Sequence, residues 1–209
     1  MRTDLQIKIC GLREAENIRS VADLRPHFLG FIFYPGSDRY VGDDFSMPAI
    51  DPGIEKVGVF VNARMPEVLK RIGDFQLDCV QLHGDERPEY CRNLRLVWPS
   101  IKIIKALPIG EVADLQPAAA YEGLVDLLLW DTKGPKRGGS GLAFDWSVLN
   151  AYTGATPFLL AGGIGPASSS DLRAFDHPRW AGIDLNSRFE LEPGIKDISS
   201  LKTFLSEIK

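Results

Sequence analysis

The sequence has few cysteines and histidines and no long apolar run, and each shortage excludes a class of protein. Its three cysteines are unevenly spaced, so we expect no disulfide framework, no zinc site and a reducing, cytoplasmic location. Its three histidines are too scattered to form a local metal-binding motif, so no metal is expected. No stretch approaches the roughly 18 apolar residues of a membrane span, and Met1 to Lys8 lack the apolar core of a signal peptide.

An excess of basic residues is also missing. The 209 residues include 24 lysines and arginines against 28 aspartates and glutamates, which gives a formal charge of -4. Nucleic-acid-binding proteins usually present a basic face, so we expect no nucleic-acid partner, although a local cationic pocket for an anionic metabolite is compatible with this charge. Hydrophobic residues make up 44% of the chain, which is typical of a globular protein with a sizeable core.

Eight short apolar runs are present instead. They are rich in Val, Ile, Leu and Phe and alternate only weakly with polar residues, which is typical of strands buried on both faces. The runs cover residues 7–10, 28–33, 56–61, 79–83, 101–106, 127–131, 158–161 and 182–186.

Helical patterns separate most of these runs. They cover residues 14–24, 65–75, 88–94, 111–121, 166–175 and 199–208. The pattern over 111–121 is weakened by Pro117, and the segment after Phe45 is too polar and too rich in proline for a helix. Eight alternating strands without a linker predict the α/β class, as a single-domain (β/α)8 TIM barrel over residues 1–209, with a doubly wound open sheet as the alternative.

Two reactive side chains close two of the apolar runs. Cys10 ends the first run, and Asp131 ends the sixth, just before a glycine-rich stretch over 132–141 that is either a mobile cover for a ligand or a surface loop. Chemistry in parallel-sheet proteins lies at the carboxyl ends of the strands, so we expect the thiol and the carboxyl in one site. Taken singly, Cys10 could be a small buried hydrophobe and Asp131 a turn residue.

At the carboxyl ends of several predicted strands, polar side chains two positions apart lie on the same face of the strand. Lys8 lies on the face of Cys10, where its ammonium would favour the thiolate and give a base near neutral pH. A salt bridge from Lys8 to Asp184 is a second role, compatible with the first. Gln81 and His83 share a face at the fourth strand end, where His83 either holds substrate or bonds a backbone carbonyl.

An anionic ligand is favoured by two loops and one arginine. Gly162 and Gly163 follow the seventh run and precede a helix, whose backbone amides and dipole attract a phosphate. Asn186 and Ser187 follow the eighth run, and the loops after strands seven and eight are the usual phosphate site of barrel enzymes. Arg39 offers a bidentate site for a carboxylate, unless it is an ordinary solvated arginine.

Seven segments in order resemble the phosphoribosylanthranilate isomerases over nearly the whole chain. They are KICG at 8–11, GFIFYPGSDRYV at 30–41, VGVFVN at 57–62, VQLHGDE at 80–86, WDTKGPKRGGSGLAFDW at 130–146, LLAGGIGP at 159–166 and GIDLNSRFELEPGIKD at 182–197. The resemblance implies a cofactor-free step of tryptophan biosynthesis. That step is the Amadori rearrangement of N-(5-phosphoribosyl)anthranilate to 1-(2-carboxyphenylamino)-1-deoxyribulose 5-phosphate.

The same resemblance implies roles for individual residues. The catalytic cysteine of the family falls on Cys10, as general base, and its catalytic aspartate on Asp131, as general acid. Its carboxylate-binding arginine falls on Arg39, and Asp184 matches an aspartate near the ribose. Its phosphate loops fall on residues 162–163 and 186–187.

Three positions depart from the family pattern and leave loop details open. Asp38 stands where proline is frequent, Leu142 where a polar residue is common, and Arg188 where a small residue is usual.

Other functions remain open at this point. The histidine-pathway isomerase performs the same rearrangement, but with two aspartates, which Cys10 argues against. A ribulose-phosphate epimerase would use several histidines and a metal, and only His83 fits. A catalytically silent barrel that senses a phosphorylated ligand is the non-enzymatic alternative. We expect a monomer, with a dimer as the alternative.

Overall fold

Eight parallel strands, each hydrogen-bonded to its neighbours in chain order, close into a barrel in the computed structural model, which describes residues 5–133 and 144–208. The strands are β1 (Gln6–Cys10), β2 (Phe28–Ile32), β3 (Glu55–Phe60), β4 (Cys79–Leu82), β5 (Lys102–Ile109), β6 (Leu127–Thr132), β7 (Phe158–Leu160) and β8 (Trp180–Leu185). The pairing of β1 with β8 closes the ring. The predicted (β/α)8 barrel is confirmed, whereas its extent over all of residues 1–209 stays a prediction.

Five α-helices and four 3₁₀ helices surround the described part of the barrel. The α-helices are α1 (Ala15–Ala22), α2 (Met65–Phe75), α3 (Pro88–Val97), α4 (Ser169–Ala174) and α5 (Ile198–Glu207). The 3₁₀ helices are Val112–Tyr121, Trp146–Ala151, Pro166–Ser168 and Ser187–Phe189. The predicted helix over 111–121 is thus a 3₁₀ helix, because Pro117 lacks the N–H that an α-helix needs in its interior.

The connection between β2 and β3 contains no helix, as its polar, proline-containing sequence predicts. Phe45 takes over the packing role that a helix would have there. Its ring lies 5.7 Å from that of Phe31 and 5.5 Å from that of Phe75, measured between centroids, and it also contacts Phe33. An irregular segment therefore covers this side of the barrel through one aromatic anchor.

A short hairpin after β8 was not anticipated. Its strands, β9 (Glu190–Glu192) and β10 (Ile195–Lys196), are antiparallel and stand apart from the barrel sheet. We call it the β9–β10 hairpin. It leads directly into α5.

The hydrophobic core has two layers, as expected for strands that are buried on both faces. The larger layer lies between the strands and the surrounding helices. The smaller one fills the inside of the barrel and includes Cys10, Ile32, Val59 and Ala161. Across residues 5–133 and 144–208, no helix is long and apolar enough to cross a lipid bilayer.

Candidate active site

One pocket opens at the carboxyl ends of the strands, and seven of the eight strands or their following loops line it. Its floor is the upper surface of the inner core, since Cys10, Ile32, Val59 and Ala161 belong to both. Ten of the predicted site residues line this pocket: Cys10, Arg39, Gln81, His83, Asp131, Gly162, Gly163, Asp184, Asn186 and Ser187. The eleventh, Lys8, is fully buried below it.

Cys10 points into the barrel from the last position of β1 and is 3% exposed. Gly30 is its partner on β2, and a side chain there would start 2.6 Å from the Cys10 sulfur, so only glycine leaves room for the thiol. Burial raises the pKa of the thiol, and the nearby Lys8 charge only partly opposes this. The expectation that Lys8 brings Cys10 to the thiolate form near neutral pH is therefore wrong, because desolvation of the sulfur outweighs the attraction of the ammonium.

Lys8 forms an ion pair with Asp184, with 2.9 Å between Nζ and Oδ1. Burial by itself lowers the pKa of Lys8, but the net shift is upward, and the charge of Asp184 is the largest cause that raises it. The ammonium therefore stays charged. Burial raises the pKa of Asp184, and the charge of Lys8 opposes this without reversing it. Buried ion pairs are poor sources of stability, so this pair is better explained by the charge that it presents to the pocket. The salt-bridge role given to Lys8 is confirmed.

Gln81, His83 and Asp131 form a hydrogen-bonded chain along one side of the pocket. Nε2 of Gln81 lies 2.7 Å from Nδ1 of His83, and Nε2 of His83 lies 3.2 Å from Oδ2 of Asp131. The Gln81 Nε2 atom can only donate, so Nδ1 of His83 accepts and its Nε2–H donates to Asp131. His83 thus contacts the predicted acid itself, a role that the sequence did not suggest.

The loop after β7 has the backbone that an anion site requires. Gly162 and Gly163 both have φ of +75°, in the left-handed region, and a Cβ on Gly162 would lie 2.2 Å from Oγ1 of Thr132. Only glycine fits there, because a side chain would collide with Thr132. Without side chains, the main chain can approach the pocket closely. Asn186 and Ser187 also line the pocket, from the loop after β8. The structure thus brings together the two predicted phosphate loops.

Arg39 is held at the pocket by a residue that sequence reasoning missed. Its Nε lies 2.9 Å from Oε1 of Glu190, and its Nη2 lies 2.7 Å from Oε2 of the same carboxylate. Arg39 is therefore not a solvated arginine. Among the described residues Nη1 has no partner, so this nitrogen is available to a ligand.

Other parts of the predicted site are outside what the structure describes. Within the glycine-rich stretch over 132–141, the structure describes Thr132 and Lys133. Residues 134–143, which include Leu142, lie outside the described residues. Within the described ranges, no three His, Cys, Asp or Glu side chains form a group that could hold a metal ion.

Comparisons with known proteins agree with this architecture. Residues 7–207 match the family model of N-(5'-phosphoribosyl)anthranilate isomerase. The chain is 48% identical over 206 residues to the enzyme of that name from Parabacteroides distasonis, covering 97% of this chain and 92% of the relative.

Two solved structures extend the similarity to three dimensions. Phosphoribosyl anthranilate isomerase from Thermus thermophilus matches with a TM-score of 0.82, 29% identity and 98% coverage of each chain. A second phosphoribosyl anthranilate isomerase, solved with reduced 1-(o-carboxyphenylamino)-1-deoxyribulose 5-phosphate, matches with a TM-score of 0.78, 29% identity and 98% coverage of each chain.

Proposed function

The chain belongs to the N-(5'-phosphoribosyl)anthranilate isomerase family, and on that premise we propose that Cys10 is the general base and Asp131 the general acid of the isomerisation. The observation that carries this proposal is that both side chains line one pocket, from strands three places apart in the ring. A sugar bound between them would meet the two groups from different sides, as acid–base catalysis requires. The product is 1-(2-carboxyphenylamino)-1-deoxyribulose 5-phosphate.

Asp131 opens the sugar ring. Its carboxyl proton passes to the ring oxygen while the bond from that oxygen to C1 breaks, and the nitrogen lone pair forms the C=N bond of a protonated Schiff base. The side chain is 15% exposed, and His83 donates to Oδ2, which leaves Oδ1 as the atom that meets the substrate. His83 therefore fixes the orientation of the acid.

Cys10 carries out the second proton transfer. The positive nitrogen of the Schiff base acidifies the proton on C2, and the Cys10 thiolate removes it to give an enolamine. The enolamine then becomes the ketone by losing its hydroxyl proton and gaining one at C1. The sequence moves protons only, so we propose that no cofactor takes part.

Gln81 and Asp184 are the proposed contacts of the sugar hydroxyls. Both line the pocket, and Asp184 is paired with Lys8, which favours its carboxylate form as an acceptor of hydrogen bonds. Oε1 of Gln81 is buried and has no hydrogen-bond partner within the described part of the chain. A buried acceptor without a partner is costly, and a substrate hydroxyl would satisfy it.

The two ends of the substrate carry negative charge, and the pocket has a suitable group for each. We assign the phosphate to the loops of Gly162–Gly163 and Asn186–Ser187, and the anthranilate carboxylate to Arg39. Charge-assisted bonds from a guanidinium to a carboxylate are among the stronger hydrogen bonds in proteins.

Replacing Arg39 with alanine is expected to raise KM by about 10-fold or more, with a smaller effect on kcat, because the arginine binds a group that does not react. Steady-state kinetics on phosphoribosylanthranilate measures this. Arg92→Ala, an exposed arginine on α3, is the matched control and should change neither constant. An unchanged KM for Arg39→Ala would contradict the carboxylate site.

The pH dependence of the residual kcat/KM in Asp131→Asn, where the proposed acid is absent, should follow the Cys10 thiol. Burial raises its pKa above the ordinary value of about 8.5, so the free enzyme holds mostly the neutral thiol at neutral pH. The thiolate fraction should therefore rise as the pH increases from about 7 to about 9. In Asp131→Asn, where no second group has to stay protonated, the residual kcat/KM should rise with it. A flat or falling profile of Asp131→Asn over that range would count against a thiolate base, and adding Cys79→Ala to that variant should leave its profile unchanged.

The activity itself is tested by following the fluorescence of phosphoribosylanthranilate as it is consumed. Tight binding of the reduced product without turnover would instead support a catalytically silent barrel. A cytoplasmic location and a monomeric state stay predictions. All three cysteines are free thiols, which supports the former.

A further inference from the structure

Two buried charges on the β9–β10 hairpin have no role in the reaction as described above. The Glu190 side chain is 4% exposed, and the Lys196 side chain is completely buried. Ions are expensive to bury, so a pair of this kind at the wall of a pocket calls for an explanation.

Glu190 joins the two cations of this cluster. It accepts from Nε and Nη2 of Arg39 and, through Oε1, from Nζ of Lys196 at 2.7 Å. The backbone N–H of Gly194, in the turn of the hairpin, donates to the same Oε1 at 3.2 Å. Burial raises the pKa of Glu190, but the bonds from Arg39 and Lys196 outweigh this and leave the pKa below its ordinary value, so the carboxylate stays ionised.

Lys196 reaches from this cluster to the other anion-binding loop. Its Nζ donates to Oδ1 of Asn186 at 2.7 Å. An ammonium can only donate, so it fixes which way the Asn186 amide is turned, and the NH₂ group faces away from Lys196. The lysine is itself anchored to α1, because its backbone N–H and C=O both bond the side chain of Asn17, at 2.8 and 2.9 Å.

The charges of the cluster do not cancel. Burial lowers the pKa of Lys196, and the charge of Glu190 opposes this. With Lys196 as an ammonium, Arg39 and Lys196 contribute two positive charges against one negative charge on Glu190, and the cluster keeps a single positive charge. Glu190 can therefore hold Arg39 without neutralising its attraction for an anion. A carboxylate paired with Arg39 alone would form a pair with no net charge.

We propose that Glu190 and Lys196 are positioning residues for the two anionic ends of the substrate. Glu190 fixes the guanidinium of Arg39 for the carboxylate, and Lys196 turns the amide of Asn186 so that its NH₂ donates to the phosphate. This inference rests on the proposed function, since it takes Arg39 and Asn186 as substrate contacts. The β9–β10 hairpin is then a single support for both ends of the pocket.

Glu190→Gln separates positioning from simple electrostatics. It removes a negative charge, so electrostatics alone predicts tighter binding of an anionic substrate and a lower KM. Positioning predicts the opposite, a KM higher by about 10-fold, because Arg39 loses its charge-assisted bidentate partner and is no longer held in place. The value of kcat should change much less than KM, since no reacting group is altered.

Glu192→Gln is the matched control. It makes the same charge change two residues along β9, at an exposed side chain, and should leave KM within about twofold of the wild-type value. Melting temperatures show which variants are folded. If Glu190→Gln fails to fold, Glu190→Asp provides the test, because the shorter carboxylate keeps the charge but not the bidentate contact.

A double-mutant cycle shows whether Glu190 acts through Arg39. In the Arg39→Ala background, Glu190→Gln should add less than about twofold to KM, because the residue that it positions is absent. A full effect in that background, or a KM that is unchanged or lower in the single variant, would overturn the role of Glu190. If Arg39→Ala alone leaves KM unchanged, both the carboxylate site and the role of Glu190 are wrong. If Arg39→Ala raises KM but Glu190→Gln does not, only the role of Glu190 is wrong.

Inorganic phosphate, used as a competitive inhibitor, tests the role of Lys196. Lys196→Met should weaken its inhibition by about 10-fold, whereas Arg39→Ala, at the other end of the pocket, should change it less. Unchanged inhibition by phosphate in folded Lys196→Met would overturn this part of the proposal. If Asn186→Ala also has no effect on that inhibition, the phosphate assignment itself is wrong.

Discussion

Replacing Cys10 with alanine is expected to lower kcat on phosphoribosylanthranilate by about 10²- to 10⁴-fold, the usual contribution of one acid–base group. Without the sulfur no group at that position can remove the proton from C2. The fold should persist, because alanine is smaller than cysteine and the surrounding inner core is apolar. Kinetics on the purified variant, with circular dichroism to confirm folding, measures this.

Cys79→Ala is the matched control for that experiment. Cys79 is equally buried, at 1% exposure, and belongs to the same inner core, but it begins β4 and does not line the pocket. It should lose some stability and keep its turnover. Near-native turnover in Cys10→Ala would remove the thiol from the mechanism.

Asp131→Asn is expected to have an effect of similar size, about 10²- to 10⁴-fold on kcat, because an amide cannot give a proton to the ring oxygen. Asparagine keeps the shape of aspartate, and its Oδ1 can still accept from His83, so a loss of activity would reflect the missing proton. Asp126→Asn is the control. It lies just before the same strand, where its carboxylate bonds Arg95 and the Ile103 N–H.

Substrate affinity distinguishes the two explanations for a loss in Asp131→Asn. If the Asp131 carboxyl acts as the acid, Asp131→Asn should bind the reduced product nearly as tightly as the wild type does, because the sugar of that compound is already open. A variant that retains turnover would contradict the proposed acid, and a variant that cannot bind the reduced product would point to a binding role.

The barrel and the position of the pocket could be predicted because they depend on local patterns. A strand that ends in Cys10 or Asp131 places that side chain at the strand end wherever the sheet lies, and parallel strands bring all such ends to one rim. The prediction that Lys8 meets Asp184 succeeded for the same reason, since both are fixed by strand register.

The protonation state of Cys10 could not be read from the sequence. The neighbouring Lys8 is visible there and favours the thiolate, but the opposing desolvation depends on how completely the barrel encloses the sulfur. Only the three-dimensional packing decides which effect is larger.

Glu190 and Lys196 were missed because their partners are distant in sequence. Glu190 lies 151 residues from Arg39, and no local pattern relates the two. Both residues lie within the segment over 182–197 that resembles the family. Their charge inside a shared motif was the one feature of the sequence that could have indicated a function. A buried lysine in a two-residue strand is not a pattern that periodicity detects.

The missing side chain of Gly30 means that the reactivity of the sulfur depends on a neighbour that carries out no chemistry. A single methyl group at residue 30 would push the thiol sideways while every proton donor and acceptor stayed in place. A mutational screen would therefore score this glycine as if it were a participant in the reaction. Designers who redirect the barrel to new substrates should treat that glycine as part of the geometry of the base.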